Sequence, residues 1–195
     1  MLELTGKHIL LLLLYSPGKT TDINEPILGR TRIIKMMFLF DKEIRKNFLK
    51  DSHAELISFP EFFPWHYGPF SKDVYNDIDF FINNGFIEDI YLDSEKTEIE
   101  LDEDENWSED YLFEDEEEML SDFRNQEYLK LTEKGIKFVE EKIYNHLTDN
   151  DKMIIIRFKE SINNASLEAI LRYTYIKYPE ETEKSKIKER FLGNQ

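Results

Sequence analysis

The segment WHYGPFSKDVYNDIDFFINNGFIED, from Trp65 to Asp89, sets the frame for reading the chain. Gly68-Pro69 marks a turn, because glycine reaches backbone angles closed to other residues and proline fixes the next one. Ser71 suits a helix N-cap. Val74, Ile78 and Phe81 or Ile82 then recur at helical spacing, which predicts a core stripe on a helix over Ser71 to Asn84. Asn83-Asn84-Gly85 provides a left-handed exit, and Phe86 to Leu92 reads as a strand. Turn, helix and strand in this order are the parts of a helix-turn-helix followed by its wing. The charges do not suit that use. The helix holds Asp73, Asp77 and Asp79 against Lys72 alone, whereas base edges and phosphates are met by Arg, Lys, Asn or Gln. Asp73 and Asp77, four residues apart, share a face expected to be exposed, and Asp73 also favours the helix dipole from the first turn.

Upstream, Lys7 to Ser16 reads as a core helix ended by Ser-Pro-Gly. Its apolar run, His8 to Tyr15, is far shorter than the ~20 residues that cross a bilayer, and no cleavage pattern of small residues follows it. The expectation is a buried helix, no membrane and a cytoplasmic protein. RTRIIKMMFLFDKEIRKNFLK, from Arg30, predicts one long helix. Ile33 or Ile34, Met37, Phe40 or Asp41, Ile44 and Phe48 mark its apolar side, and Lys35, Lys42, Lys46 and Lys50 recur opposite. Leu56 to Phe63, interrupted by Pro60 and Pro64, reads as irregular.

Downstream, Lys96 to Leu101 alternates like a second strand, and Glu127 to Leu131 reads as a returning one. Thr132 caps a helix over Ile136 to Leu147. Asp149 to Asn164 has two readings, since Ile-Ile-Ile-Arg-Phe suits a strand while the whole suits a helix. Ser166 caps a helix reaching Tyr178, and Glu183 to Phe191 reads as a short mixed-charge helix. The sum is an α+β, mostly helical chain. It has a winged-helix core, additional C-terminal helices and a long acidic insertion at the wing. In residues, 1–92 and 127–195 form the winged-helix-like domain and 93–126 the insertion.

Charge is distributed unevenly. Glu88 to Glu127 holds 19 acidic residues against Lys96 and Arg124, while the other 155 residues hold 22 acidic and 23 basic ones. The formal charge of −16 is therefore a property of one stretch, and the body is close to neutral. That arrangement argues against nonspecific binding to nucleic acid. The stretch also carries Trp107, Tyr111 and Phe113, unlike an aromatic-poor solvating tail.

Four sets of candidate residues follow. Trp107, Tyr111 and Phe113 are expected to anchor a protein partner, steered by Asp102, Asp104, Asp110, Glu114, Glu116 and Glu117. Arg30, Arg32, Lys35, Lys42, Lys46 and Lys72 form the expected basic face, for phosphates or an acidic partner. Trp65, His66, Tyr67, Gly68 and Pro69 form the turn patch, a structural corner or an aromatic contact surface. Asp102, Asp104, Asn106, Ser108 and Asp110 alternate as in a calcium loop. Trp107 there replaces the glycine of the sharp turn and Phe113 the bidentate glutamate, so no metal is expected.

Enzymatic chemistry finds little footing. With no cysteine there is no thiolate or disulfide. His8, His53, His66 and His146 lack ligand spacing, and the seven glycines form no phosphate loop. No cofactor is expected. A protein partner is, with nucleic acid and a homodimer as further expectations.

Gly29-Arg30-Thr31-Arg32-Ile33-Ile34-Lys35, Trp65-His66-Tyr67-Gly68-Pro69-Phe70-Ser71 and Asn84-Gly85-Phe86-Ile87 together resemble the YwgA-like prokaryotic family. More remotely they resemble the SocA-like, or Panacea, antitoxin domain, which shares a Tyr-Gly-Pro turn before a helix. Leu131-Thr132-Glu133-Lys134-Gly135 resembles the wing-to-helix step of winged-helix regulators. The likeness runs over Lys7 to Leu92 and from Tyr128 towards Pro179; the acidic stretch has no counterpart in it. It implies a cytosolic, non-enzymatic antitoxin, adaptor or phage-defence accessory. Three readings stay open: a protein-interaction module, a sequence-specific DNA-binding transcription regulator, and a DNA mimic.

Overall fold

The computed structural model describes residues 2–50, 52–91 and 127–188. They form a mixed α+β fold in which helix predominates. The order is β1 (Leu2–Thr5), α1 (Gly6–Tyr15), β2 (Ile27–Leu28), α2 (Arg30–Leu39), β3 (Ala54–Ser58), β4 (Phe63–Trp65), β5 (Gly68–Phe70), α3 (Lys72–Asn83), β6 (Ile87–Tyr91), β7 (Glu127–Leu131), α4 (Glu133–Lys142), α5 (Asp149–Asn164) and α6 (Leu167–Lys177). Short 3-10 turns follow α4 and α6.

Helices α1 and α2 are the centre. From Ile9 to Tyr15 every residue of α1 is buried, and all ten residues of α2 are buried. A helix apolar on all sides has to be enclosed by its neighbours. Helix α3 follows the expected pattern. Ser71 Oγ accepts the Val74 N–H, and Val74, Ile78 and Phe81 face inward. Thr132 caps α4 in the same way by accepting from Gly135 N–H.

Strands β6 and β7 pair antiparallel from Ile87–Leu131 to Tyr91–Glu127, and β2 adds to the outer side of β7. The interval 92–126, including the expected strand Lys96 to Leu101, lies outside the described residues.

Three expectations need correction, and one open reading is decided. The helix from Arg30 stops at Leu39, and Phe40–Ile44 form a widened turn in which Arg45 N–H reaches Phe40 O. This turn sets Phe40 among Phe48, Phe59 and Phe158. Leu49 then takes a left-handed backbone (φ 64°), its N–H held by Asp151 Oδ1 at 2.9 Å.

The second correction concerns Leu56 to Phe63, part of which is strand. β3 pairs in parallel with β1, matching Leu2 to Ala54, and a partner some fifty residues away leaves no local trace. Asp149 to Asn164, open between strand and helix in the sequence, is one helix, opened by a capping box of Thr148 and Asp151. Last, residues 183–187 are turn and not helix; residue 188 is helical, and the rest of the expected helix lies outside the described residues.

Candidate functional site

The expected basic face is largely interior. Arg30, Arg32 and Lys35 are 8%, 7% and 0% exposed. Because α2 is enclosed on all sides, its cations find partners within the fold. Arg30 pairs with Asp79 of α3 and Glu127 of β7, and lies over the Tyr75 ring. Those carboxylates raise its pKa against the opposing effect of burial. Arg32 Nη1 donates to Ile162 O at 2.8 Å and Ala165 O at 2.7 Å. It thereby satisfies carbonyls at the C-terminus of α5, where positive charge is favoured.

Lys35 Nζ donates to Pro69 O at 2.8 Å, and burial pushes it down to about 7. Lys42 bonds Glu181 at 2.6 Å and lies over Phe38. Only Lys46 and Lys72 of the set are exposed without a described partner. The six cations therefore do not meet on one solvated surface.

The α3 aspartates separate in the same manner. Asp77 turns to Lys7 at 2.9 Å; burial raises its pKa and Lys7 counters that. Asp79 serves Arg30, and of the three only Asp73 is exposed.

The turn patch is a hairpin corner of β4 and β5. Trp65 and His66 stack at 4.6 Å, and Tyr67 is buried. Gly68 has φ 84°, and a Cβ there would stand 2.9 Å from Tyr175 Cε1. The C-terminal segment holds the corner down, since His66 O accepts from Lys186 N and Ser185 Oγ. His8, the other histidine of note, accepts the Thr5 N–H at the start of α1.

Trp107, Tyr111, Phe113, Asp102, Asp104, Asp110, Glu114, Glu116 and Glu117 lie outside the described residues.

One feature absent from the sequence reading is a groove of about 610 Å³ between the widened turn, α5 and α6. Leu39, Ile44, Ile154, Phe158, Ala169 and Tyr173 line it. Glu43 on its wall is engaged through one oxygen, Oε1. Its carboxylate accepts from Tyr173 and Tyr178 hydroxyls, both at 2.9 Å, and from Lys177 Nζ at 3.0 Å. Arg157, also lining the groove, is exposed and has no hydrogen-bond or ion-pair partner among the described residues. Tyr173 and Ile176, at helical spacing on α6, are 42% and 63% exposed. The groove draws on three segments from distant parts of the chain, so no local motif marks it.

Among the described residues no helix is long and apolar enough to cross a membrane, and no group of three or more His, Asp or Glu is placed to hold a metal ion. No family model, curated protein or solved structure matches this chain.

Proposed function

We propose that this chain is a non-enzymatic protein-interaction module of the antitoxin, adaptor or defence-accessory kind, whose partner presents a basic or nucleic-acid-binding surface. The observation that carries the reading is the segregation of charge. Arg30, Arg32 and Lys35 serve carboxylates and carbonyls inside the fold, while Glu88 to Glu127 concentrates 19 acidic residues in a stretch that holds Trp107, Tyr111 and Phe113. Dense like charge with aromatic anchors is suited to steering and seating a basic partner. A winged-helix arrangement belongs to the same proposal, supported by the succession of α3, the β6–β7 pair and α4.

The regulator alternative is weakened, because docking on DNA would proceed without Arg30, Arg32 and Lys35. The test is mild-salt affinity purification from native cells, with mass spectrometry of protein and sequencing of nucleic acid. The expected result is one stoichiometric protein, lost when residues 102–118 are deleted or when Trp107, Tyr111 and Phe113 are changed to Ala. Enrichment of one DNA site without such a protein would overturn the reading.

A further inference from the structure

The groove has an apolar floor and cations at its margin that nothing described neutralises. Arg157 lines it. Arg172 stands three residues after Ala169 and four before Ile176, on the strip of α6 that includes Tyr173. Lys46 lies between the lining residues Ile44 and Asn47. All three are exposed, and among the described residues none has a hydrogen-bond or ion-pair partner. The one carboxylate lining the groove, Glu43, is held by Tyr173, Tyr178 and Lys177 through Oε1. A complementary occupant is therefore an acidic segment with aromatic anchors.

The chain itself encodes one. Asp102 to Glu118 has eleven acidic and no basic residues and includes Trp107, Tyr111 and Phe113. We propose that the groove of one copy receives the acidic stretch of a second copy. This rests on the interaction reading above and adds a second use of the same stretch.

The attachment of the stretch suits such an exchange. It rejoins the fold at Glu127, which Arg30 holds, and the next residue, Tyr128, is an electrostatic neighbour of Arg32. Arg32 in turn bonds Ala165 O, and Ala165 lines the groove. The point where the stretch rejoins the fold and the groove are thus linked through Arg32. A two-fold pairing of copies can then fill both grooves at once and close the assembly.

The decisive experiment is sedimentation of the full chain near 100 μM, wild type and variants. Salt is a poor discriminator here. It weakens the contact with the groove but also relieves repulsion between two chains of net −16. The wild type is expected to dimerise. Arg157→Glu with Arg172→Glu should raise the dissociation constant at least about tenfold, as should the Trp107, Tyr111 and Phe113 to Ala triple. The combined variant should lose little more than either alone, the mark of one shared contact.

A photo-crosslinker in place of the exposed Ile176, in an equal mixture of ¹⁴N and ¹⁵N chains, should link to residues 102–118 of the other isotope. A monomer at that concentration would overturn the proposal. So would a dimer unmoved by either variant set, or crosslinks confined to one isotope. A dimer without any partner on affinity purification would sink the function above and leave this inference standing. A monomer with a partner would do the reverse.

Discussion

Lys35 of α2 and Lys159 of α5 are both withdrawn from solvent, and their amines are served very differently. Lys159 Nζ donates to Leu14 O at 3.0 Å, Ser16 O at 2.6 Å and Glu25 O at 2.7 Å. That gives three acceptors for three protons, at the C-terminus of α1 where the helix dipole also favours a cation. Lys35 Nζ has one carbonyl, Pro69 O, and otherwise stands near Gly68 and the Tyr175 ring. Burial pushes both amines down to about 7. In Lys159 the Glu25 carboxylate, the three carbonyls and the helix end oppose that push, so Lys35 is the amine expected to titrate first. Burial alone thus does not say what a lysine does in a core; the number of acceptors does.

The sharpest way to break this comparison is Lys159→Met. The substitution keeps the volume and leaves three carbonyls without a donor, each worth about 1–3 kcal/mol when buried and unsatisfied. The expected loss is about 3 kcal/mol or more in urea unfolding. A loss below about 1 kcal/mol would mean that water takes over the clamp, and the contrast with Lys35 would fail. The next effect belongs to the corner above Lys35. Gly68→Ala adds a Cβ at φ 84° and 2.9 Å from Tyr175 Cε1. The left-handed backbone alone costs roughly 1–2 kcal/mol, so a loss of about 2 kcal/mol is expected from the same measurement. A stability equal to wild type would show that the corner moves freely away from α6.

Much of the fold was legible because local chemistry decided it. Ser71, Thr132 and Ser166 cap the helices that follow them, and Val74, Ile78 and Phe81 form the stripe their spacing predicts. What the sequence concealed depends on distant partners. β3 is a strand because β1 lies beside it, and the cations of α2 are interior because α3, α5 and β7 offer carboxylates and carbonyls. Alternation along α2 suggested a solvated basic side, but periodicity cannot tell a charged face from a buried ion pair.

Lys159 did carry a readable signal. It falls four residues after Ile155 and three before Ile162, on the apolar stripe of α5, where a lysine has to find acceptors or lose its charge. The groove left no such mark, since its walls come from three separate segments.

The smallest effect is the most discriminating. A lysine near 7 in the fold and 10.5 when unfolded makes the unfolded chain bind more protons between those values. Stability therefore rises with pH across that window. It is fully present only above the unfolded value and is lost as pH falls towards 7. From pH 7 to pH 9 the gain from one such group is about 2 kcal/mol. Measurement should stop near pH 9.5, because Tyr15, Tyr91, Tyr175 and Tyr178 are held up near 12 in the fold, and unfolding releases their protons above pH 10. Lys35→Met should flatten this slope. At pH 9, where Lys35 is already neutral, it should cost no more than about 1 kcal/mol, the worth of the bond to Pro69 O. At pH 7 the variant should be at least as stable as wild type. If the slope survives in Lys35→Met and vanishes in Lys159→Met, the assignment is reversed: three carbonyls would then fail to hold a buried ammonium charged, and counting acceptors would be the wrong guide.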